Sequence, residues 1–297
     1  MPGYGEIIVN SSGTAAGAAL PWTVSRAEAA LAGALAGIER LGVAFSGGVD
    51  SSVLLALAAR VMGPGRVLGL LGVSPSLAAD ERAAAHTVAA EIGVPVVEVA
   101  TFEGDDAGYR ANGPDRCFHC KDELFRRIGD EIVSQHGLDA IAYGENADDA
   151  VRVDRPGAQA ATAHSVLRPL ADAGITKSDV RSLATELGLS VAQKPAAPCL
   201  ASRIPHFSPV TPEKLRQVDQ AESALRGLGL AELRVRHHGE VARVELPDHD
   251  LVRAVVEPLR SDIVGAVRSA GFRFVTIDLG GIQSGAFTLP LVLADHD

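Results

Sequence analysis

Two stretches of this chain hold residue types that do chemistry. The first is Ser46-Gly47-Gly48-Val49-Asp50-Ser51-Ser52, which follows the apolar run Gly42-Val43-Ala44-Phe45 and opens onto Val53-Leu54-Leu55-Ala56-Leu57-Ala58. The order reads strand, glycine-rich turn, helix. Paired glycines let backbone N–H groups approach an anion with no Cβ in the way. The helix start adds unpaired N–H groups and the positive end of its dipole. Ser46, Ser51 and Ser52 bring hydroxyls, and Asp50 can orient the loop or meet a metal. This is a phosphate cradle, but not of the Walker type, because G-x-x-x-x-G-K-[ST] is absent.

The second stretch is Arg116-Cys117-Phe118-His119-Cys120-Lys121, a C-x-x-C at the start of a helix, where the dipole and neighbouring cations lower a thiol pKa. The third and last cysteine is Cys199, in Lys194-Pro195-Ala196-Ala197-Pro198-Cys199-Leu200-Ala201-Ser202-Arg203. An odd count and the expected reducing compartment speak against a disulfide framework. If Cys199 folds back beside the pair, three thiolates could hold a [4Fe–4S] cluster with one iron lacking a protein ligand, where a sulfide could sit. A redox disulfide between Cys117 and Cys120, a zinc site with His119 or His206 as fourth ligand, and unrelated thiols stay open.

The elements that must position these residues follow a βα rhythm. Residues 67–73 read as a buried strand, 77–92 as an Ala-rich helix ending at Gly93, and 94–99 as the next strand. A polar stretch from Thr101 to Arg116 leads to a helix over 121–136, stopped by Gly137. Residues 139–143 form a strand that runs into Gly144-Glu145-Asn146-Ala147-Asp148-Asp149. Such alternation argues for an α/β fold: a parallel sheet with helices on both faces. Its ligands sit at the carboxyl ends of strands, where both Ser46–Ser52 and Gly144–Asp149 lie. Prolines at 205, 209 and 212 make residues 204–212 suit a linker. Beyond it come a helix (213–227), strands (232–236 and 241–246), a helix (249–270) and a strand (273–278). The expected division is a flexible extension over 1–24, a domain built around the glycine-rich loop over 25–204 and a smaller C-terminal α+β domain over 205–297.

Composition narrows the function classes. The 297 residues are 47% hydrophobic and 22% charged, as in a soluble globular protein, and no apolar run is long enough to span a bilayer. The Gly-, Ala- and Ser-rich N-terminus lacks a basic start followed by an apolar stretch, so a cytoplasmic location is expected. The net charge of −10 argues against a nucleic-acid partner. Only four of the 27 cations are Lys, so phosphate contacts here would be mostly forked Arg contacts.

The loop Ser46–Ser52 resembles the pyrophosphatase (PP) loop, SGGxDS, of enzymes that split ATP between its α and β phosphates and leave AMP on a substrate oxygen. Together with Arg116–Lys121, Gly144–Asp149, Arg168-Pro169-Leu170 and Lys194–Arg203, it is similar to the LarE family from about residue 25 to the end. Cys-Leu-Ala-Ser-Arg-Ile-Pro (Cys199–Pro205) is the most specific piece. The family comprises ATP-dependent sulfurtransferases that build the nickel-pincer nucleotide cofactor of lactate racemase. The resemblance implies a PP-loop (HUP-like) fold and a substrate, pyridinium-3,5-biscarboxylic acid mononucleotide. Each carboxylate in turn is adenylated and then accepts sulfur to become a thiocarboxylate. Some members sacrifice a cysteine, which becomes dehydroalanine; members with three cysteines are thought to use a reloadable cluster, the route favoured here. If sacrifice is the chemistry, Cys199 is the donor.

Carried over residue by residue, the resemblance makes Ser46, Gly47, Gly48, Val49, Asp50, Ser51 and Ser52 the ATP cradle with Mg²⁺, assisted by Gly144, Asn146, Asp148 and Asp149. It puts Ser202 and Arg203 beside the acyl site, and Cys117, Cys120 and Cys199 on the cluster. It makes Arg234 and Arg236, with Glu245 on the neighbouring strand, binders of substrate phosphate. The implied partners are a small nucleotide substrate, other proteins of nickel-pincer biosynthesis and further copies of the chain, from dimer to hexamer. His237 and His238 point to opposite faces of their strand and read as surface residues. Competing readings are a tRNA thiolation enzyme, an amide-forming ligase of the same ATPase group, and a nucleotide-responsive metal or redox carrier.

Overall fold

A computed structural model describes residues 20–151, 156–195, 197–283 and Phe287; most of the expected N-terminal extension lies outside them. Four strands, β1 (Leu41–Ala44), β2 (Val67–Val73), β3 (Val96–Ala100) and β4 (Ala140–Tyr143), form a parallel sheet in the order β3-β2-β1-β4. Alternate side chains feed two apolar layers, which is why the central strands read as continuous apolar runs. Leu41, Val43, Val67 and Leu71 pack with the helices Val24–Ala34, Val49–Met62 and Lys177–Glu186. Leu68, Leu70 and Tyr143 pack on the other face with Phe125, Ile128 and Ala160. Ala44 pairs with both Leu70 and Tyr143, so the loops after β1 and β4 leave the sheet side by side. The strand order reverses there, and that is where such sheets open a crevice.

Several elements differ from the sequence reading. The helix expected over 121–136 begins one turn earlier, as Arg116–Arg127, and continues through a π turn, Ile128–Ile132, to Val133–His136. The C-x-x-C therefore lies within its first turns. A helix at Val24–Ala34, capped by the Thr23 hydroxyl, buries Val24, Ala27 and Leu31 at helical spacing. The helix expected over 249–270 is two, Asp248–Ala254 and Leu259–Ser269, because Pro258 cannot continue the first.

The second sheet holds β5 (Arg234–His238), β6 (Val241–Glu245) and β7 (Phe274–Ile277), with β5 antiparallel and β7 parallel to the central β6. Its own apolar cluster includes Val235, Ala242 and Val244 against Leu215, Val218, Leu225, Ile263 and Val267. His237 is not a surface residue. It is buried on the Val235 face, 3.1 Å from Gln217 Oε1 and packed against Phe272. Burial and the nearby Lys214 push its pKa down.

The proline-rich stretch between the sheets is no loose tether. Asn112 is fully buried in the left-handed region (φ +58°). Its Nδ2 donates to the carbonyls of Pro205 at 2.7 Å, Ser208 at 3.0 Å and Ile204 at 3.3 Å. Phe207 N–H donates to Asn112 O and Val210 N–H to Arg110 O. The Asn112→Ala substitution strands these buried carbonyls and strains the backbone. It should cost on the order of 3 kcal/mol, measured as a lower urea midpoint at unchanged m-value. A loss within ~0.5 kcal/mol would contradict this anchoring role.

Candidate functional site

The glycine-rich loop closes the carboxyl end of β1. Gly47 has φ +69°, and a Cβ there would lie 2.8 Å from Ala85 Cα, so both conformation and space require glycine. Gly48 is the N-cap of the helix Val49–Met62 and no side chain caps it, which leaves first-turn N–H groups for an anion. The serines shape the loop from within. Ser51 and Ser52 donate their hydroxyls to Gly48 O at 3.1 and 2.8 Å, and Ser46 N–H donates to Ser51 Oγ at 3.2 Å.

Gly144 ends β4 in contact with this loop: a Cβ on it would fall 2.6 Å from Ser51 N. Asn146 caps the next helix, accepting from Asp149 N–H at 3.0 Å, while its Nδ2 donates to Asp50 Oδ1 at 3.0 Å and Asp149 Oδ2 at 2.9 Å. Lys177 forms an ion pair with Asp50 Oδ2 and donates its backbone N–H to Asp148 Oδ2 at 2.8 Å. The sequence reading missed Lys177. It follows Thr176, the N-cap of a helix whose capping box Thr176 forms with Asp179. Asp50 fits a Mg²⁺ ligand of the kind that supplies one carboxylate while phosphate oxygens and water complete the shell.

From the loop a cavity of about 800 Å³ extends between the two sheets. Its lining includes Ser46, Gly48, Val49, Asp50 and Ser51 of the loop, the cysteines Cys120 and Cys199 with Ser202, and the arginines Arg203, Arg234 and Arg236. Gly47 and Ser52 are outside the lining and act as loop framework.

The thiols converge without forming a cage. Arg116 is buried and donates to Asn112 Oδ1 at 2.6 Å and Ala201 O at 3.0 Å, which docks the Cys199 segment against the C-x-x-C helix. The sulfurs of Cys199 and Cys117 both act on its guanidinium. Burial pushes the Cys120 thiol well up, with Glu103 and then Cys199 adding to the shift, so here desolvation outweighs the helix dipole from which a lowered pKa was expected. His119 turns to Asp106 at 3.3 Å and Asp115 at 3.4 Å. Among the described residues no three His, Cys, Asp or Glu side chains are grouped to hold a metal ion. As placed, Cys117, Cys120 and Cys199 therefore do not fit a shared metal centre.

Arginines paired with carboxylates form another part of the cavity wall. Arg203 is paired with buried Glu222 at 2.9 and 3.2 Å and donates to Pro198 O at 2.6 Å and Ser202 Oγ at 3.0 Å. It thus holds the turn that carries Cys199. Ser202 Oγ donates to Cys199 O at 2.7 Å. Arg236 makes a two-pronged pair with Glu245 at 2.9 and 2.8 Å and donates to Ser202 O at 3.0 Å. Glu245 is fully buried and outside the cavity lining, so it orients Arg236 rather than facing a phosphate. Arg234 lines the cavity and bonds Gln283 O at 2.6 Å; among the described residues it has no carboxylate partner. Burial, then the charges of Arg236 and Arg203, lower its pKa: a desolvated cation suited to an anion. Glu222 escaped the sequence reading because it looks like any polar residue of its helix.

The Asparagine synthase family model matches residues 26–114, covering β1, the glycine-rich loop, β2 and β3. An uncharacterized protein of Synechocystis sp. is 39% identical over 248 residues, 84% of this chain and 91% of that protein. Pyridinium-3,5-bisthiocarboxylic acid mononucleotide synthase of Lactiplantibacillus plantarum is 34% identical over 263 residues, 89% of this chain and 94% of that enzyme. The chain belongs to the LarE family. It has the PP-loop fold and, as a LarE family member, uses ATP. An uncharacterized protein of Methanocaldococcus jannaschii is 30% identical over 168 residues, 57% of this chain and 64% of that protein. No helix among the described residues of this LarE family member is long and apolar enough to cross a membrane.

Asp50→Ala should lower AMP formation at least about 100-fold with the circular dichroism spectrum unchanged; AMP formation at the parental rate would remove the loop assignment. Iodoacetamide at about pH 8 should label exposed Cys117 and Cys199 before Cys120 in metal-free protein. Cys120 labelling should rise only as pH is taken above the ordinary thiol range. Peptide mapping checks the order, and equal rates would contradict the burial argument.

Proposed function

We propose that this protein is an ATP-dependent sulfurtransferase. It adenylates the carboxylates of pyridinium-3,5-biscarboxylic acid mononucleotide and converts them to thiocarboxylates, as the name of the L. plantarum relative suggests. One observation carries the reading. A single cavity is lined by the glycine-rich loop, by Cys120 and Cys199 and by the buried arginines Arg203, Arg234 and Arg236. It would hold ATP on the loop and a phosphate-bearing acid on the arginines, with the thiols in the same wall.

A carboxylate resists sulfur nucleophiles because it is already negative and lacks a good leaving group. Bonding its oxygen to the α-phosphorus of ATP, with release of pyrophosphate, removes the charge and makes AMP the leaving group. The loop N–H groups and Lys177 stabilise the departing pyrophosphate, and Asp50 would hold Mg²⁺, which would supply further positive charge for the leaving group. Arg234 and Arg236 fix the substrate phosphate, so the carboxyl group is aligned rather than found by diffusion. Sulfur then reaches the acyl carbon from the Cys199 side and AMP departs.

In the sacrificial route Cys199 Sγ forms a thioester. Loss of its Cα proton then breaks the Cβ–S bond, leaving dehydroalanine and a free thiocarboxylate. A [4Fe–4S] cluster on Cys117, Cys120 and Cys199 would instead supply a soft sulfide, and it would require those thiols to close up. Iron and acid-labile sulfide analysis on protein purified without oxygen separates the routes, together with the mass of the Cys199 peptide after turnover. Stoichiometric iron and sulfide with intact Cys199 supports the cluster; absent iron with loss of H₂S from Cys199 supports sacrifice.

Cys199→Ala should still release pyrophosphate in the first turnover within about threefold of the parental rate, leaving an acyl adenylate that yields AMP only by hydrolysis, with no thiocarboxylate detectable by mass spectrometry. Thiocarboxylate formation at the parental rate in that variant would overturn sulfur delivery from Cys199.

A further inference from the structure

Three buried side-chain polar atoms have no hydrogen-bond partner among the described residues: Glu103 Oε2, Tyr143 Oη and Arg243 Nε. Tyr143 and Glu103 line the ATP-loop cavity. An orphaned buried hydroxyl costs free energy unless something arrives to pair with it. Tyr143 is only 6% exposed, ends β4 opposite Ala44 and immediately precedes Gly144, whose backbone touches Ser51. Its hydroxyl therefore stands at the sheet end that carries the glycine-rich loop. Phe125 packs edge-on against its ring, and the Lys121 ammonium lies 4.5 Å from the ring centroid. The ring is fixed with an ammonium over its face, and its hydroxyl can donate to an anion, whereas the Glu103 carboxylate would repel one.

We propose that Tyr143 is a ligand-binding residue whose hydroxyl donates a hydrogen bond to an anionic oxygen of the reacting pair, either a phosphoryl oxygen of ATP or a carboxylate oxygen of the acid. This rests on the proposed adenylation. Burial, and Glu145 beside it, push the Tyr143 pKa up, so the phenol keeps its proton at neutral pH and serves as a donor. Glu145 stands close enough to act on the phenol but outside hydrogen-bond geometry, and it lies 3.4 Å from Arg168.

Tyr143→Phe removes one oxygen and keeps the ring. The ligand-free variant should melt at the same temperature as the parent or higher, because an unpaired polar atom is gone. Titrations with magnesium α,β-methylene-ATP and, separately, with nicotinic acid mononucleotide then read the hydroxyl's contribution. About tenfold weaker binding of the first supports the proposal and assigns the phosphoryl oxygen; the same loss with the second supports it and assigns the carboxylate. Affinities for both within twofold of the parent would overturn it. So would a ligand-free melting temperature several degrees lower, the mark of a structural bond to Glu145. If the parent binds neither probe, the adenylation reading itself fails, an outcome separate from parent and variant binding alike.

Discussion

The guanidinium of Arg116 spans two parts of the chain that the site needs together. It emerges from the first turn of the C-x-x-C helix, donates to Ala201 O in the turn after Cys199, and is steadied by Asn112 Oδ1. Asn112 in turn ties down the carbonyls of Ile204, Pro205 and Ser208. A guanidinium taken out of water is tolerated only when its N–H groups are paired. The segment carrying Cys199 therefore cannot drift from the helix carrying Cys120 without exposing or orphaning a charge. The neighbouring Cys199 and Cys117 sulfurs favour the cation further.

The arginine-lined wall solves an electrostatic problem for a chain with net charge −10. Phosphate needs a cationic face, yet clustered arginines repel one another. Glu222 pairs with Arg203 and Arg226, and Glu245 with Arg236 and Arg243; Glu222 shares the cavity lining with its arginines, whereas Glu245 lies outside it. Each carboxylate offsets the repulsion and fixes its guanidinium in one orientation, so little reorganisation is left for substrate binding. Arg234 carries the uncompensated charge. Burial first, and then the fields of Arg236 and Arg203, depress its proton affinity.

Much of this was legible in the residues. The parallel sheet, the strand-loop-helix order at Ser46–Ser52 and the placement of Arg234 with Arg236 on one strand face follow from periodicity and glycine positions. What stayed hidden involves pairing over long sequence distances. Nothing in Lys177 announces a contact with Asp50, 127 positions earlier, nor does Asn112 announce a hold on a proline-rich stretch 92 to 96 residues later. The His237 and Cys120 readings went astray for a common reason: local rules assign a face or a dipole, whereas burial depends on which element packs on top. One expected helix is split in two at a proline, and the C-x-x-C helix begins before its apolar spacing does.

Gly144 and Ser51 lie 93 positions apart, yet their backbones are close enough that a single methyl group would not fit between them. With no side chain acting as a cushion, neither loop can tilt without displacing the other. Sequence change at this junction is consequently restricted in pairs: drift in the helix Val49–Met62 is admissible only where the end of β4 follows it. Two segments remote in the gene thereby behave as one mechanical part.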